Sequence, residues 1–145
     1  MNGKLNGSSC LRVFVLFVAI ISGCLSIGQA AVGPVVVVGI RGEIDAGQTA
    51  LVFKALNEAK NQNASTLLVE IETFGGQVDA AVKIRDMISE AKLQTICYVK
   101  NRAWSAGALV AISHKNIAIA PGGTIGAAEP IPTTEKTVAA VRAEF

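Results

Sequence analysis

Histidine, tryptophan, tyrosine and cysteine are scarce in this chain of 145 residues, which holds one His, one Trp, one Tyr and three Cys. A metal centre built from several histidines is thereby excluded, and a His-dependent triad has only His114 to draw on. Cys10 and Cys24 both fall within the first 30 residues. Cys97 is then alone in the body, and no intramolecular disulfide framework can form there. An excess of one charge is also missing. Thirteen Lys and Arg face eleven Asp and Glu, but Lys4 and Arg12 precede residue 30 while every acid follows it, so the body is neutral. With no basic stripe for phosphates, nucleic acid is not expected as a partner. Repeats, low-complexity tracts and charge runs are absent as well. What remains, 51% hydrophobic and 17% charged, is the composition of one globular domain.

The longest apolar run near the N-terminus, Val13 to Ile21 (VFVLFVAII), has nine residues, well short of the roughly 18 that span a bilayer comfortably. Behind the basic flank of Lys4 and Arg12 it has the length and polarity of a secretory h-region. Gly28 and Ala30 stand at the −3 and −1 positions of a cut after Ala30. The sequence thus predicts a signal peptide over residues 1–30 and an exported domain over residues 31–145. Two other routes use the same segment: Ile21-Ser22-Gly23-Cys24 is similar to a lipobox that would acylate Cys24, and an uncleaved segment would serve as a signal anchor.

Strand and helix patterns alternate along the body. Val35–Ile40 (VVVVGI) reads as a strand buried on both faces, and Ala46–Asn61 as a helix with Leu51, Ala55, Leu56 and Ala59 on one side. A strand at Thr66–Ile71, a Gly-Gly turn, a helix over about 77–91 and a strand at Thr95–Val99 follow. Then come a small-residue helix over about 105–113, a short strand at Asn116–Ala120 and a last helix opening near Thr134. Such alternation implies right-handed βαβ crossovers and a mainly parallel α/β sheet. The apolar residues Val138, Val141 and Phe145 only begin a stripe before the chain stops, so the sequence reads as a fragment of a longer polypeptide.

Two segments after predicted strands carry chemistry, the position where α/β proteins build their sites. In Glu72-Thr73-Phe74-Gly75-Gly76-Gln77 the paired glycines let the backbone approach a ligand and aim N–H groups at developing negative charge, although a plain tight turn reads the same way. In Asn101-Arg102-Ala103-Trp104-Ser105-Ala106-Gly107-Ala108 a serine opens a helix. Such a serine is ordinarily an N-cap, but the position would also give a nucleophile a positive dipole end and the Ala106 N–H. Cys97, inside Thr95-Ile96-Cys97-Tyr98-Val99, reads as a buried strand thiol. Asp79 and Asp86 are two helical turns apart, too far for a carboxylate pair, and read as solvated. His114 would lie about 13 Å along the helix from Ser105, too far to deprotonate it, and reads as a helix-end or surface histidine. Thr133 and Thr134 read as caps of the last helix, with Arg142 and Glu144 on its wet face.

Taken together, Gly75-Gly76, Ala103-Trp104-Ser105-Ala106-Gly107 and Ala120-Pro121-Gly122-Gly123-Thr124-Ile125-Gly126-Ala127-Ala128-Glu129-Pro130, in this order among strands and helices, resemble the Clp-type serine proteases of the crotonase superfamily. Within them the chain is most similar to the membrane-associated NfeD proteins. The resemblance covers about 34–145 and implies a crotonase-like (ClpP-type) ββα spiral with a mainly parallel sheet. It places the catalytic serine on Ser105, the oxyanion donors on Gly76 and Ala106, and a supporting role on Gly75. Phe74 departs from the proline the family often has there, and Ala128 fills the slot where Clp proteases carry their histidine, so a Ser-His-Asp triad is not supported. NfeD proteases resemble signal peptide peptidase A in using a Ser-Lys dyad, which carries the base to Lys136; Arg142 cannot release a proton near neutral pH. Lys136 would need its pKa lowered by desolvation in an apolar cleft.

The resemblance further implies a membrane-associated, extracytoplasmic endopeptidase without metal or other cofactor, acting on apolar peptides, notably of a stomatin-like membrane protein. It also implies self-association into a dimer or larger ring. Membrane association would come from a region beyond Phe145 or from the uncleaved signal. Two rivals share the fold: a non-catalytic module that assembles membrane proteins, with Ser105 only a cap, and an acyl-CoA-processing enzyme with a similar oxyanion hole.

Overall fold

The alternation of apolar runs and helical periods is realised, in a computed structural model describing residues 33–145, as five strands and four helices. In chain order they are β1 (Val35–Ile44), α1 (Ala46–Asn61), β2 (Thr66–Gly76), α2 (Val78–Ser89), β3 (Gln94–Trp104), α3 (Ala106–Ile112), β4 (Asn116–Ile119), β5 (Thr124–Gly126) and α4 (Glu135–Glu144). The expected signal peptide, Cys10 and the Cys24 of the expected lipobox lie outside the described residues.

β1, β2, β3 and β4 pair side by side in that order, all parallel, and β5 pairs Arg102–Trp104 at the end of β3. A strand order that advances one step at a time through right-handed crossovers puts every connecting helix on the same face of the sheet. Burial follows that rule. Val38 and Ile40 of β1, Leu67, Val69 and Ile71 of β2, and Cys97 and Val99 of β3 are buried, and they form one core with Val52 of α1, Ile84 and Ile88 of α2, and Leu109 and Val110 of α3. On the opposite face Val35 is 55% and Val37 56% exposed. The expectation that β1 is buried on both sides is therefore corrected: among the described residues β1 is an edge strand, and helices cover one side.

Most elements lie where the sequence places them, with informative differences. Asp45 starts α1 by accepting the Gln48 N–H at 2.9 Å, and the buried stripe is Val52, Ala55 and Ala59. Leu51, expected inside, is 41% exposed, because at 100° per residue the core-facing line passes one position later. The Gly-Gly segment is not a turn. β2 stays extended through Gly76, with a register shift against β1 between Arg41 and Glu43. The three-residue β5 carries no periodic signal and is legible only in the structure. Thr134 caps α4 by accepting the Thr137 N–H, and Thr137 returns the bond to the Thr134 N–H. No helix among the described residues is long and apolar enough to cross a membrane.

α3 sits tightly on the sheet because its face is made of small residues. A Cβ added to Gly107 would stand 2.4 Å from the Thr73 methyl, a contact that something must relieve. Gly107→Ala is expected to destabilise the domain by about 1–3 kcal/mol through overpacking, read as a lowered urea midpoint at unchanged slope. Unaltered stability would show that α3 is not seated on Thr73.

Candidate active site

β2 and β3 end side by side, with Thr73 opposite Ala103, and each passes directly into one of the two segments singled out from the sequence. Trp104 ends β3, Ser105 turns the chain, and α3 begins at Ala106. Ser105 has φ 51° and ψ −122°, and its side chain makes no capping hydrogen bond. An N-cap has extended backbone and uses its oxygen to accept a helix N–H, so the capping reading of Ser105 does not hold. The backbone N–H of Ser105 is instead donated to the Gly126 carbonyl at 2.7 Å. A non-glycine residue held in this region costs on the order of 1–3 kcal/mol. It forms a sharp strand-to-helix turn of the kind that lifts a serine hydroxyl clear of its neighbours.

Both glycines are required by close approach. A Cβ at Gly75, where φ is +121°, would lie 2.8 Å from the Ser105 Cβ and 3.3 Å from its Oγ. A Cβ at Gly76 would lie 2.2 Å from the Ile44 carbonyl oxygen. The loop thus presses Gly75 against the serine and Gly76 against the end of β1. Thr73, which drew no attention in the sequence, holds this arrangement. It is buried, and its hydroxyl accepts the Gly75 N–H at 2.9 Å and donates to the Gly42 carbonyl. The only hint in the sequence is a hydroxyl at an inward-facing register position just before the glycines.

Ser105 opens on a narrow apolar cleft of about 30 Å³. Val78 and Ala81 of α2, Ala106 and Leu109 of α3, the Ala128–Pro130 segment, Val141 and Glu144 of α4, and Phe145 just beyond it line it. Ala128, at the slot compared with the Clp histidine, brings only a methyl group. The last turn of α4 closes one side, and the Glu144 carboxylate and carbonyl accept hydrogen bonds from Arg85 of α2. Glu144 is therefore not on a wet face as expected; Arg85 supplies the charge that lets it stand half-buried.

Ser105, Ala106, Gly75 and the adjoining Gly76 are brought together, whereas Lys136 is not. Lys136 is exposed on the first turn of α4 and is not among the residues lining the cleft. It is separated from Val141 by about 7.5 Å of helix axis at 1.5 Å per residue. Cys97 is buried as expected, with its thiol pushed up to about 12 by desolvation. Asp79 and Asp86 are exposed and pair with Lys83 and Arg85. His114 stands at the end of α3 but is buried, not at the surface: its Nδ1 turns back on the Val110 and Ala111 carbonyls at 2.9 and 3.3 Å. Among the described residues no three His, Cys, Asp or Glu side chains gather as they would around a metal.

Comparison with known proteins adds kinship to this geometry. Residues 34–144 match the family described as NfeD1b, N-terminal domain. The chain is 35% identical over 94 residues to membrane protein NfeD1b of Bacillus subtilis, covering 65% of this chain and 22% of that protein. It is 35% identical over 100 residues to membrane-bound protease PH1510 of Pyrococcus horikoshii, covering 67% and 23% respectively. The chain thus spans less than a quarter of the length of either relative. Among solved structures it resembles the 1510-N membrane-bound stomatin-specific protease, a lysine-to-alanine mutant in complex with a substrate peptide, with a TM-score of 0.72 and 28% identity over 79% of this chain and 58% of that one. ClpP1 from Listeria monocytogenes, at 23% identity and a TM-score of 0.65 over 73% of this chain and 65% of that one, shares the α/β fold.

The buried His114 generates a pH dependence. Desolvation lowers its pKa below the usual value near 6.5, so the folded state favours the neutral ring while the unfolded chain protonates first. Its stabilising contribution is whole above about pH 6.5 and is lost as pH falls towards the lowered folded value. Denaturation midpoints at pH 7.5 and 5 should fall further for the wild type than for His114→Gln. Equal falls would place the ring in contact with water.

Proposed function

From the premise that the chain belongs to the NfeD1b N-terminal domain family, we propose that it is a serine endopeptidase domain with Ser105 as nucleophile. The observation that carries this reading is the strained turn at Ser105, whose hydroxyl is spent on no cap and faces an apolar cleft beside a glycine pair. Strain of this kind persists where surrounding structure enforces it, and it clusters at working sites.

Two N–H groups serve as oxyanion donors. The Gly75 N–H is taken by Thr73 and the Gln77 N–H by the Ile44 carbonyl at 2.8 Å. That leaves the Gly76 N–H as the donor this reading takes from the glycine pair. Ala106 is the first residue of α3, where an N–H has no intrahelical acceptor. Both N–H groups would receive the negative charge that builds on a peptide carbonyl oxygen when Ser105 Oγ attacks it.

The base is Lys136, the neutral amine of which removes the Oγ proton and returns it to the leaving amine; water then releases the acyl group from Ser105 by the reverse exchange. For its amine to arrive, α4 must turn its first residues to the cleft that its last turn now closes. None of its residues is fully buried, and an apolar peptide entering the cleft would displace Val141 and Phe145. Apolar segments of a membrane protein, of the stomatin kind named for 1510-N, are the substrates this reading assigns. The domain would act outside the cytoplasm, next to a membrane, as a dimer or larger assembly.

Ser105→Ala and Lys136→Ala, prepared separately, should each lower peptide cleavage by roughly 10³-fold or more with the circular dichroism spectrum unchanged. Cleavage retained by the Ser105 variant would reject the nucleophile; cleavage retained by the Lys136 variant alone would reject the dyad and keep the serine.

A further inference from the structure

The residue before Gly75 and the residue before Ser105 are both aromatic, and the two rings meet. Phe74 and Trp104 pack edge to face with centroids 5.5 Å apart. The Arg102 guanidinium lies over both rings, 4.4 Å from the centre of Phe74 and 5.5 Å from that of Trp104. Trp104 also donates its Nε1–H to Thr124 Oγ1 at 2.8 Å, in the strand whose Gly126 carbonyl accepts the Ser105 N–H. One cluster therefore joins the glycine loop, the end of β3 and β5, the three segments that meet at Ser105.

The cluster is not core. Phe74 is 67% exposed and adds nothing to the packed interior. Arg102 has no salt bridge among the described residues; the nearby Glu72 accepts instead from Asn101. An exposed ring and a guanidinium without a salt bridge among the described residues, meeting each other and the half-buried Trp104, stabilise the domain as a whole very little. Their contacts are local and lie next to residues 75–76 and 105.

We propose that Phe74 and Arg102 are positioning residues that, with Trp104, clasp the glycine loop to the nucleophile and so hold the Gly76 N–H in register with Ser105 Oγ. The inference rests on the serine protease reading. Attraction between a cation and a ring face, together with the edge-to-face ring pair, supplies directional restraint beyond the backbone pairing of Thr73 with Ala103, where β2 and β3 last meet. Loosening it leaves both catalytic segments intact and alters their separation, to which oxyanion stabilisation is sensitive.

The test uses Phe74→Leu, Arg102→Met, the double variant and Phe74→Tyr, each treated with a fluorophosphonate probe over a concentration series. Each of the first two should slow the maximal rate of Ser105 modification about tenfold, with the half-saturating probe concentration and the melting temperature unchanged. The double variant should be no slower than the slower single one, since either change opens the same clasp, and Phe74→Tyr should restore the wild-type rate. Unchanged rates, losses that multiply in the double variant, or losses that track a falling melting temperature would overturn the clasp. A wild type inert to the probe would sink the serine reading and this proposal with it, whereas a reactive wild type with equally reactive variants overturns the clasp alone.

Discussion

A serine backbone bent to φ 51° does not hold that shape by itself, and the neighbouring elements are arranged so that it must. Gly75 approaches so closely that a single methyl group would collide with the Ser105 side chain. Gly126 receives the Ser105 N–H, which fixes the peptide plane entering the turn. α3 begins at once beyond it, seated against β2 through the contact of Gly107 with Thr73. Strain of about 1–3 kcal/mol is sustained because relieving it would mean unseating a helix, a strand end and a glycine loop together. The hydroxyl is the product of that constraint: freed from capping, it lies on the wall of the apolar cleft.

Thr73 ties this turn to the rest of the sheet. Its hydroxyl occupies the Gly75 N–H and reaches Gly42 at the end of β1, and its methyl supports α3. One buried side chain thereby sets the height of the glycine loop and of the helix that follows the serine. The cleft itself is held differently. Its outer wall is the last turn of α4, tied by Arg85 to Glu144 and otherwise resting on half-buried apolar residues. The strand ends are thus held by buried backbone and hydroxyl contacts, and the helix that bears the proposed base by a half-buried ion pair.

Much of this was legible in the sequence, for identifiable reasons. α1 was readable because its apolar residues keep helical spacing; the Asp45 cap that starts it is seen in the structure. The parallel order of strands followed from their alternation with helices, and Cys97 from its apolar run. Gly75-Gly76 and Ser105 stood out by their places after strands, and the likeness to NfeD proteins came from three segments in one order. Other features depend on contacts that no local pattern encodes. Val35 and Val37 look like core residues, but only the helix arrangement decides which face of the sheet is covered. Ser105 is indistinguishable from a cap until the backbone angle is known. Glu144 reads as solvated until Arg85, far away in the chain, is placed beside it. Lys136 owes its assignment to kinship alone, and it stands exposed on the first turn of α4, outside the residues that line the cleft.

The most direct measurement is the crystal structure of the domain after reaction with a fluorophosphonate. The phosphonyl group should be on Ser105 Oγ, with its oxygen about 2.7–3.1 Å from both the Gly76 and the Ala106 backbone nitrogens. A phosphonyl oxygen turned to solvent and touching neither nitrogen, or a reagent attached to any other side chain, would contradict the account.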